Sequence, residues 1–135
     1  MTDKAVMSRF YDAVAAGELG VIDELLVDDF VEHEAIALTP DREGVRQFFT
    51  MLGAAFPDLR FAVTHMVQED DLVMAHGLFE GTHEGEFMGM PATGKRVSVP
   101  FADVVRFRDG LGVEHWGVLD SGMMMQQLGQ GPAAA

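Results

Sequence analysis

The sequence predicts an α+β fold in which three N-terminal helices cover the concave face of a strongly curved antiparallel sheet. Before Pro57 the apolar residues keep helical spacing, and from Leu59 onward they alternate. The later strands form consecutive hairpins, and Asp109-Gly110 is a favoured two-residue turn between two of them. A doubly wound parallel sheet is therefore not expected, and no glycine-rich strand-to-helix turn suggests a dinucleotide cofactor.

The helices are placed by their caps and apolar stripes. The first is predicted over residues 3–16, with Thr2 or Asp3 as its cap and Gly17 at its end. The third is predicted to begin at Thr39-Pro40 and to end at Pro57. The second, shorter helix carries one apolar stripe, formed by Val21, Ile22, Leu25 and Leu26.

Alternating residues predict the strands. In the first, Leu59, Phe61, Val63, His65 and Val67 are expected on one face. The remaining strands are predicted over residues 72–82, 96–108 and 113–120, with a last helical turn over 123–128. A long glycine-rich connection, residues 81–94, is typical of a functional loop, although a plain insertion explains it too. We expect one domain over residues 1–128 and a flexible tail over 129–135.

Composition excludes several classes of function. The 9 Lys and Arg residues against 22 Asp and Glu give a formal charge of −13, which repels nucleic acid and anionic membranes. The absence of cysteine excludes disulfides, thiolate metal sites and a cysteine nucleophile. No secretory signal or apolar run of about 20 residues is present, so a cytoplasmic location is expected.

Counting outward from the Asp109-Gly110 turn predicts which side chains share a face of the last hairpin. An unbroken two-residue turn pairs Asp103 with Trp116, Phe101 with Val118, and Val99 with Asp120, all six on one face. His115 would then lie on the opposite face with Val104. A single bulge would exchange the two sets.

Two carboxylates on an aromatic face predict acid/base chemistry. A carboxylate held against Phe101 and Trp116 loses hydration, which raises its pKa toward neutrality. Asp120 and Asp103 are therefore candidate acid/base residues. The structural alternative is that Asp120 caps the next turn and that Asp103 pairs with an arginine.

Three further residues are candidates for substrate contact. His33 follows the second helix where a chain often enters a pocket, and its imidazole can orient a substrate oxygen. His83 lies in the glycine-rich connection and can do the same, although structural hydrogen bonding explains both histidines as well. Met90 can line an adaptable apolar site, or fill the core or a dimer contact instead. No histidine pair has metal-site spacing, so no metal is expected.

Several stretches of the sequence carry a resemblance to a known family. These are Phe30-Val31-Glu32-His33, the Gly81-Thr82-His83 to Pro91-Ala92-Thr93-Gly94-Lys95 loop, Arg106-Phe107-Arg108-Asp109-Gly110, Glu114-His115-Trp116 and Gln126-Gln127-Leu128-Gly129. Together they resemble the SnoaL-like polyketide cyclase (ester cyclase) family of the nuclear transport factor 2-like (NTF2-like) superfamily, over nearly the whole chain.

The resemblance implies a conical α+β barrel, commonly a homodimer, and a cofactor-free intramolecular aldol closure of a polyketide ester. In that reaction a carboxylate removes an acidic proton between carbonyls, and the apolar pocket folds the chain for closure. Matched without gaps, the acid/base Asp of the characterised cyclases falls on Gly117, and its partner His falls on Asp103. The family's own catalytic pair is therefore absent from these positions.

The leading hypothesis is a cyclase- or isomerase-like enzyme acting on a hydrophobic carbonyl compound. Asp120 is its favoured acid/base residue, with Asp103, His33 and His83 as orienting groups and Trp116, Phe101, Val118 and Met90 as substrate contacts. A second hypothesis is a non-catalytic protein that binds a small apolar molecule, because glycine stands at the family's Asp position. A third is an epoxide hydrolase-like protein, which needs an arginine between two pocket acids, whereas Arg106 is expected on the other face.

Overall fold

The computed structural model describes residues 1–34 and 37–129. Its helices are α1 (Asp3–Ala15), α2 (Val21–Leu25), α3 (Arg42–Ala55) and α4 (Ser121–Gln127), and its strands are β1 (Leu26–Glu32), β2 (Arg60–Glu69), β3 (Leu72–Thr82), β4 (Arg96–Arg108) and β5 (Leu111–Leu119). The α+β prediction is confirmed. Of the predicted tail, residues 130–135 lie outside the described residues.

The five strands form one sheet in the order β1-β5-β4-β3-β2. The three hairpin pairs are antiparallel, as predicted, whereas β1 pairs with β5 in parallel. Strand β1 was not predicted. Its alternation is broken between Leu26 and Val31, where the register shifts and Asp28-Asp29 are exposed, so no continuous period-two pattern marks it.

Side-chain caps mark the starts of helices α1 and α3. The Thr2 hydroxyl accepts a hydrogen bond from the Ala5 amide at the start of α1. Helix α3 starts later than predicted, because Asp41 rather than Thr39 caps it by accepting from the Gly44 amide.

The core lies between the helices and the inner face of the sheet. Alternate residues of β3 point inward, and Val73, Ala75 and Phe79 are fully buried there. Opposite them, α3 contributes Leu52 and Ala55, which are also fully buried. The cavity described below lies between the helices and the part of this inner face that β1, β4 and β5 form.

A bulge in β2 changes which of its residues face this core. In β2 the register shifts between Val63 and His65, so Phe61 faces inward while His65 and Val67 pair on the outer face. The expectation that all three share a face is therefore wrong.

No helix among the described residues is both long and apolar enough to span a membrane.

Candidate functional site

A cavity of about 90 Å³ opens between the helices and the inner face of β1, β4 and β5. Its volume exceeds that of a single water several times, so a small ligand fits. One wall is aromatic, formed by Phe10, Phe48, Phe49, Phe61 and Phe101. Its polar groups gather at one end, where Tyr11, Glu32, Glu34, Asp103 and His115 meet. The arrangement suits an apolar molecule with one polar, reactive end.

His115 is held between two carboxylates. Its Nδ1 lies 2.6 Å from Glu32 Oε1, and its Nε2 lies 2.7 Å from Asp103 Oδ1. The two acid side chains are only 5% and 16% exposed. Because an ionised carboxylate only accepts hydrogen bonds, both ring nitrogens must donate, which requires the imidazolium form.

The electrostatics agree with this geometry. Burial alone would lower the pKa of His115, but its hydrogen bonds to Asp103 and Glu32 outweigh burial and raise the pKa to about 10. The ring is therefore charged at neutral pH and acts as a fixed positive group. A permanently protonated imidazole is a poor base, so His115 does not suit the role of a proton acceptor.

Tyr11 completes the network from helix α1. Its hydroxyl donates to Asp103 Oδ2 at 2.5 Å, and the ring stacks edge-on against Phe101. Burial, together with the adjacent Asp103 carboxylate, raises the Tyr11 pKa far above its usual range, so the phenol stays protonated. Asp103 thus accepts a hydrogen bond at each oxygen.

Glu34 differs from the other acids of the cavity. Within residues 1–34 and 37–129 its carboxyl has no hydrogen-bond partner, and it lines the cavity beside the network. Burial raises the pKa of the Glu34 carboxyl to about 7. The charge of His115 lowers this pKa, whereas the charges of Asp103 and Glu32 raise it further. Near neutral pH this carboxyl can both accept and return a proton.

The register prediction for the last hairpin is wrong beyond one bulge. Arg108 pairs with Leu111 as predicted, but Val113 is an extra residue on β5, so Asp103 pairs with Gly117 and not with Trp116. The bulge turns His115 inward and Trp116 outward. Beyond the bulge, the side chains of β5 therefore exchange faces relative to those of β4, as a single bulge requires.

Asp120 lies outside the cavity. It is exposed and caps α4, where its carboxylate accepts from the Met123 amide at 2.9 Å. The expectation that it shares the face of Asp103 is therefore wrong, and the structural alternative describes its position.

His33 and Trp116 lie together on the outer face of the sheet. Their rings stack 5.0 Å apart, and His33 Nε2 lies 2.7 Å from Glu114 Oε2. Arg106 joins this outer cluster, because its Nε lies 3.6 Å from Glu114 Oε1 and its guanidinium carbon lies 5.9 Å from the centroid of the Trp116 ring. None of these four borders the cavity, and no arginine or lysine is among the described residues that do.

His83 and Met90 are buried in the glycine-rich connection, away from the cavity. The His83 ring packs on Phe56, and its Nδ1 lies 2.9 Å from the Thr93 hydroxyl. Of the remaining candidates, Asp103 and Phe101 line the cavity. Val118 also borders it but is 68% exposed and pairs with Ala102 on the outer face.

Three groups lie close enough to gather a cation: Glu32, Glu34 and His115. A metal needs a free lone pair on an imidazole nitrogen. Both nitrogens of His115 lie within hydrogen-bond distance of carboxylates and donate to them. The donor set therefore fits a hydrogen-bonded network better than a metal centre.

Sequence reasoning missed Tyr11, Glu32, Glu34 and His115 as site residues. A signal was present for three of them. For Glu32 and Glu34 it is alternation: once β1 is recognised as a strand, Phe30, Glu32 and Glu34 alternate with outward-facing residues. For Tyr11 the signal is a hydroxyl within the apolar stripe of α1. His115 had no such local signal, because its orientation depends on the Val113 bulge.

A helix-covered, curved sheet with one deep cavity defines the class of NTF2-like α+β barrels. The family model for SnoaL-like polyketide cyclase matches residues 5–128, and the chain belongs to that family.

Solved structures support the same assignment. IdmH from Streptomyces antibioticus, a proposed polyketide cyclase, is 35% identical, with 96% of this chain and 99% of that chain covered and a TM-score of 0.85. AclR from Streptomyces galilaeus, a proposed hydroxylase, is 31% identical over 96% and 97% of the two chains, with a TM-score of 0.87. TsrD from Streptomyces laurentii is 28% identical over 94% of each chain, with a TM-score of 0.84. No match was found among curated protein sequences.

Proposed function

We propose that this protein catalyses acid/base cyclisation or isomerisation of a hydrophobic, uncharged carbonyl compound, with Glu34 as the proton-transfer group. The observation that carries the proposal is a carboxyl of pKa about 7 at the polar end of an otherwise apolar cavity. The resemblance of the sequence to cyclases and the naming of IdmH as a proposed polyketide cyclase support the class of reaction.

The chemistry begins with proton abstraction. The Glu34 carboxylate removes a proton from the carbon next to a carbonyl, so a C–H bond breaks, an O–H bond forms and an enolate remains. His115 is the one positive charge among the described residues that line the cavity. Its imidazolium lies beside Glu34 and partly offsets the new negative charge.

The second step returns the proton. In a cyclisation, the enolate carbon attacks a ketone held nearby by the aromatic wall, and the resulting alkoxide takes the proton back from Glu34. In an isomerisation, Glu34 returns the proton to a different carbon. Either way the carboxyl ends as it began, and no net oxidation or reduction occurs.

The test uses exchange of hydrogen for deuterium, which can be measured without knowing the natural substrate. A panel of neutral aryl ketones and esters is incubated with the protein in D2O, and loss of the proton signal next to the carbonyl is followed by NMR. We expect the wild type to accelerate exchange for at least one member and Glu34→Gln to slow it by about 100-fold or more.

Asp120→Asn is the matched control, because it removes a carboxylate yet keeps a capping side chain. Its exchange rate should equal that of the wild type. Full activity in Glu34→Gln, or loss of activity in Asp120→Asn, would contradict the assignment of Glu34.

A binding function without turnover is the second candidate, favoured by glycine at position 117, where the family resemblance places an acid/base Asp. It predicts saturable binding of a panel member, seen by calorimetry, with no exchange above the uncatalysed rate.

The family resemblance implies a homodimer, and we also propose that its two copies associate through the outer face of the sheet. Val67, Met74 and Val118 are 59%, 48% and 68% exposed there, and Trp116 lies on the same face. Light scattering should give twice the monomer mass, and Met74→Glu should shift it to the monomer.

A further inference from the structure

Gly117 occupies the point where β4 and β5 bring Asp103 and His115 together. It pairs directly with Asp103 across the two strands, two residues from His115 on the same inward face. Its backbone is not in the left-handed region that favours glycine. Any residue could therefore adopt this conformation, and the need for glycine must come from space.

The structure leaves no space for a side chain at position 117. A Cβ there would lie 2.6 Å from Asp103 Oδ1, 2.6 Å from His115 Cε1 and 2.7 Å from His115 Nε2. Carbon atoms do not approach other heavy atoms this closely without displacement. The oxygen and nitrogen crowded by the Cβ are the same pair that forms the 2.7 Å hydrogen bond.

Neither crowded side chain can simply move aside. Asp103 is tied at its other oxygen by the Tyr11 hydroxyl, and His115 is tied at Nδ1 by Glu32. A retreat of either group would lengthen a second buried hydrogen bond. Breaking such a bond leaves a desolvated polar group without a partner, which is costly.

We propose that Gly117 is a positioning residue whose missing side chain allows Asp103 and His115 to bond across the strands. The proposal rests on the proposed function only in treating this pair as part of the reacting site. The Asp103 carboxylate, bonded to His115, fills the space that a side chain at position 117 would need.

The first measurement is the titration of His115 by NMR with 15N-labelled histidine, its signals assigned by comparison with His115→Gln. In the wild type the ring should stay protonated well above neutral pH. In Gly117→Ala the midpoint should fall by about one to three pH units, because the imidazolium loses its Asp103 partner. In the Asp103→Asn background, Gly117→Ala should cause little further change.

Gly112→Ala is the matched control, because Gly112 faces inward on the same strand. Its Cβ would meet the end of the Leu26 side chain at 2.8 Å and would not meet Asp103 or His115 among its nearest atoms. We expect this variant to lower stability somewhat while leaving the His115 midpoint unchanged.

Thermal unfolding provides a second measurement that does not require Gly117→Ala to fold well. Gly117→Ala should lower the unfolding midpoint strongly in the wild-type background and hardly at all when Asp103 and His115 are both alanine. An unchanged His115 midpoint in a folded Gly117→Ala, or an equal loss of stability in both backgrounds, would overturn the proposal. Neither readout depends on catalysis, so failure of the proposed function would leave this result intact.

Discussion

His115 shows how two neighbours can fix the protonation state of one side chain. A buried imidazole alone favours its neutral form, yet two carboxylates within hydrogen-bond distance reverse that preference. With Tyr11 at one end and Glu32 at the other, the network leaves Asp103 little freedom to act as a base. Among residues 1–34 and 37–129 no hydrogen bond holds the Glu34 carboxyl in the same way, and the proposed chemistry is therefore assigned to it.

Removing one partner from this network should be costly. Asp103→Asn leaves a buried imidazolium with a single carboxylate, and we expect a loss of about 3 kcal/mol in the free energy of unfolding at neutral pH, measured with urea. Asp71→Asn is the control, because it breaks the exposed pair with Arg106. It should cost less than about 1 kcal/mol. Equal costs for the two variants would contradict the buried, ionised network.

At the scale of elements, α4 depends on its cap. Asp120 accepts from the Met123 amide, one of the helix donors that otherwise lacks a partner. Asp120→Ala should lower the free energy of unfolding by about 1 kcal/mol, measured with urea, whereas Asp120→Asn should retain most of the stability. If neither substitution changed stability, the capping assignment would be wrong.

Element types were predictable from the sequence where periodicity is continuous. The helices and the β3, β4 and β5 strands follow from local patterns, and the first pair beyond the Asp109-Gly110 turn is correct. The orientation of Asp103 relative to His115 was not predictable, because one extra residue at Val113 reverses every side chain beyond it. Strand β5 lies between β1 and β4 in the sheet, and no residue near Val113 predicts the bulge from the sequence alone.

Strand β1 was also not predictable from local sequence patterns. Its parallel pairing joins residues more than 80 positions apart, and the exposed Asp28-Asp29 interrupts its alternation. Because β1 carries Glu32 and leads directly to Glu34, missing this strand also meant missing half of the candidate site. Of the two carboxylates expected in an apolar pocket, Asp103 lines the cavity and Asp120 does not, and Glu34 was not among the candidates.

For the whole molecule, the raised pKa values of Glu34 and His115 predict how stability depends on pH. Both groups bind protons more tightly when folded, so each contributes stability that is lost as pH rises. For Glu34 this loss spans its ordinary value of 4.5 to about 7. For His115 it spans 6.5 to about 10.

Unfolding midpoints measured across this pH range test the prediction by difference. In Glu34→Gln the unfolding midpoint should no longer fall between pH 4.5 and 7, since glutamine does not ionise. The fall of the midpoint above pH 7 should remain. The remaining decline should disappear in His115→Gln. A wild-type curve that rose over the whole range, with both variants parallel to it, would contradict the assignment.

The central claim is that a carboxyl of the cavity stays partly protonated at neutral pH. The most direct measurement is a 13C NMR titration of the glutamate side-chain carboxyls, with the Glu34 signal assigned by its loss in Glu34→Gln. The account predicts a midpoint of about 7 for Glu34. A midpoint near its ordinary value of 4.5 would show a hydrated, ionised carboxylate and would contradict the account.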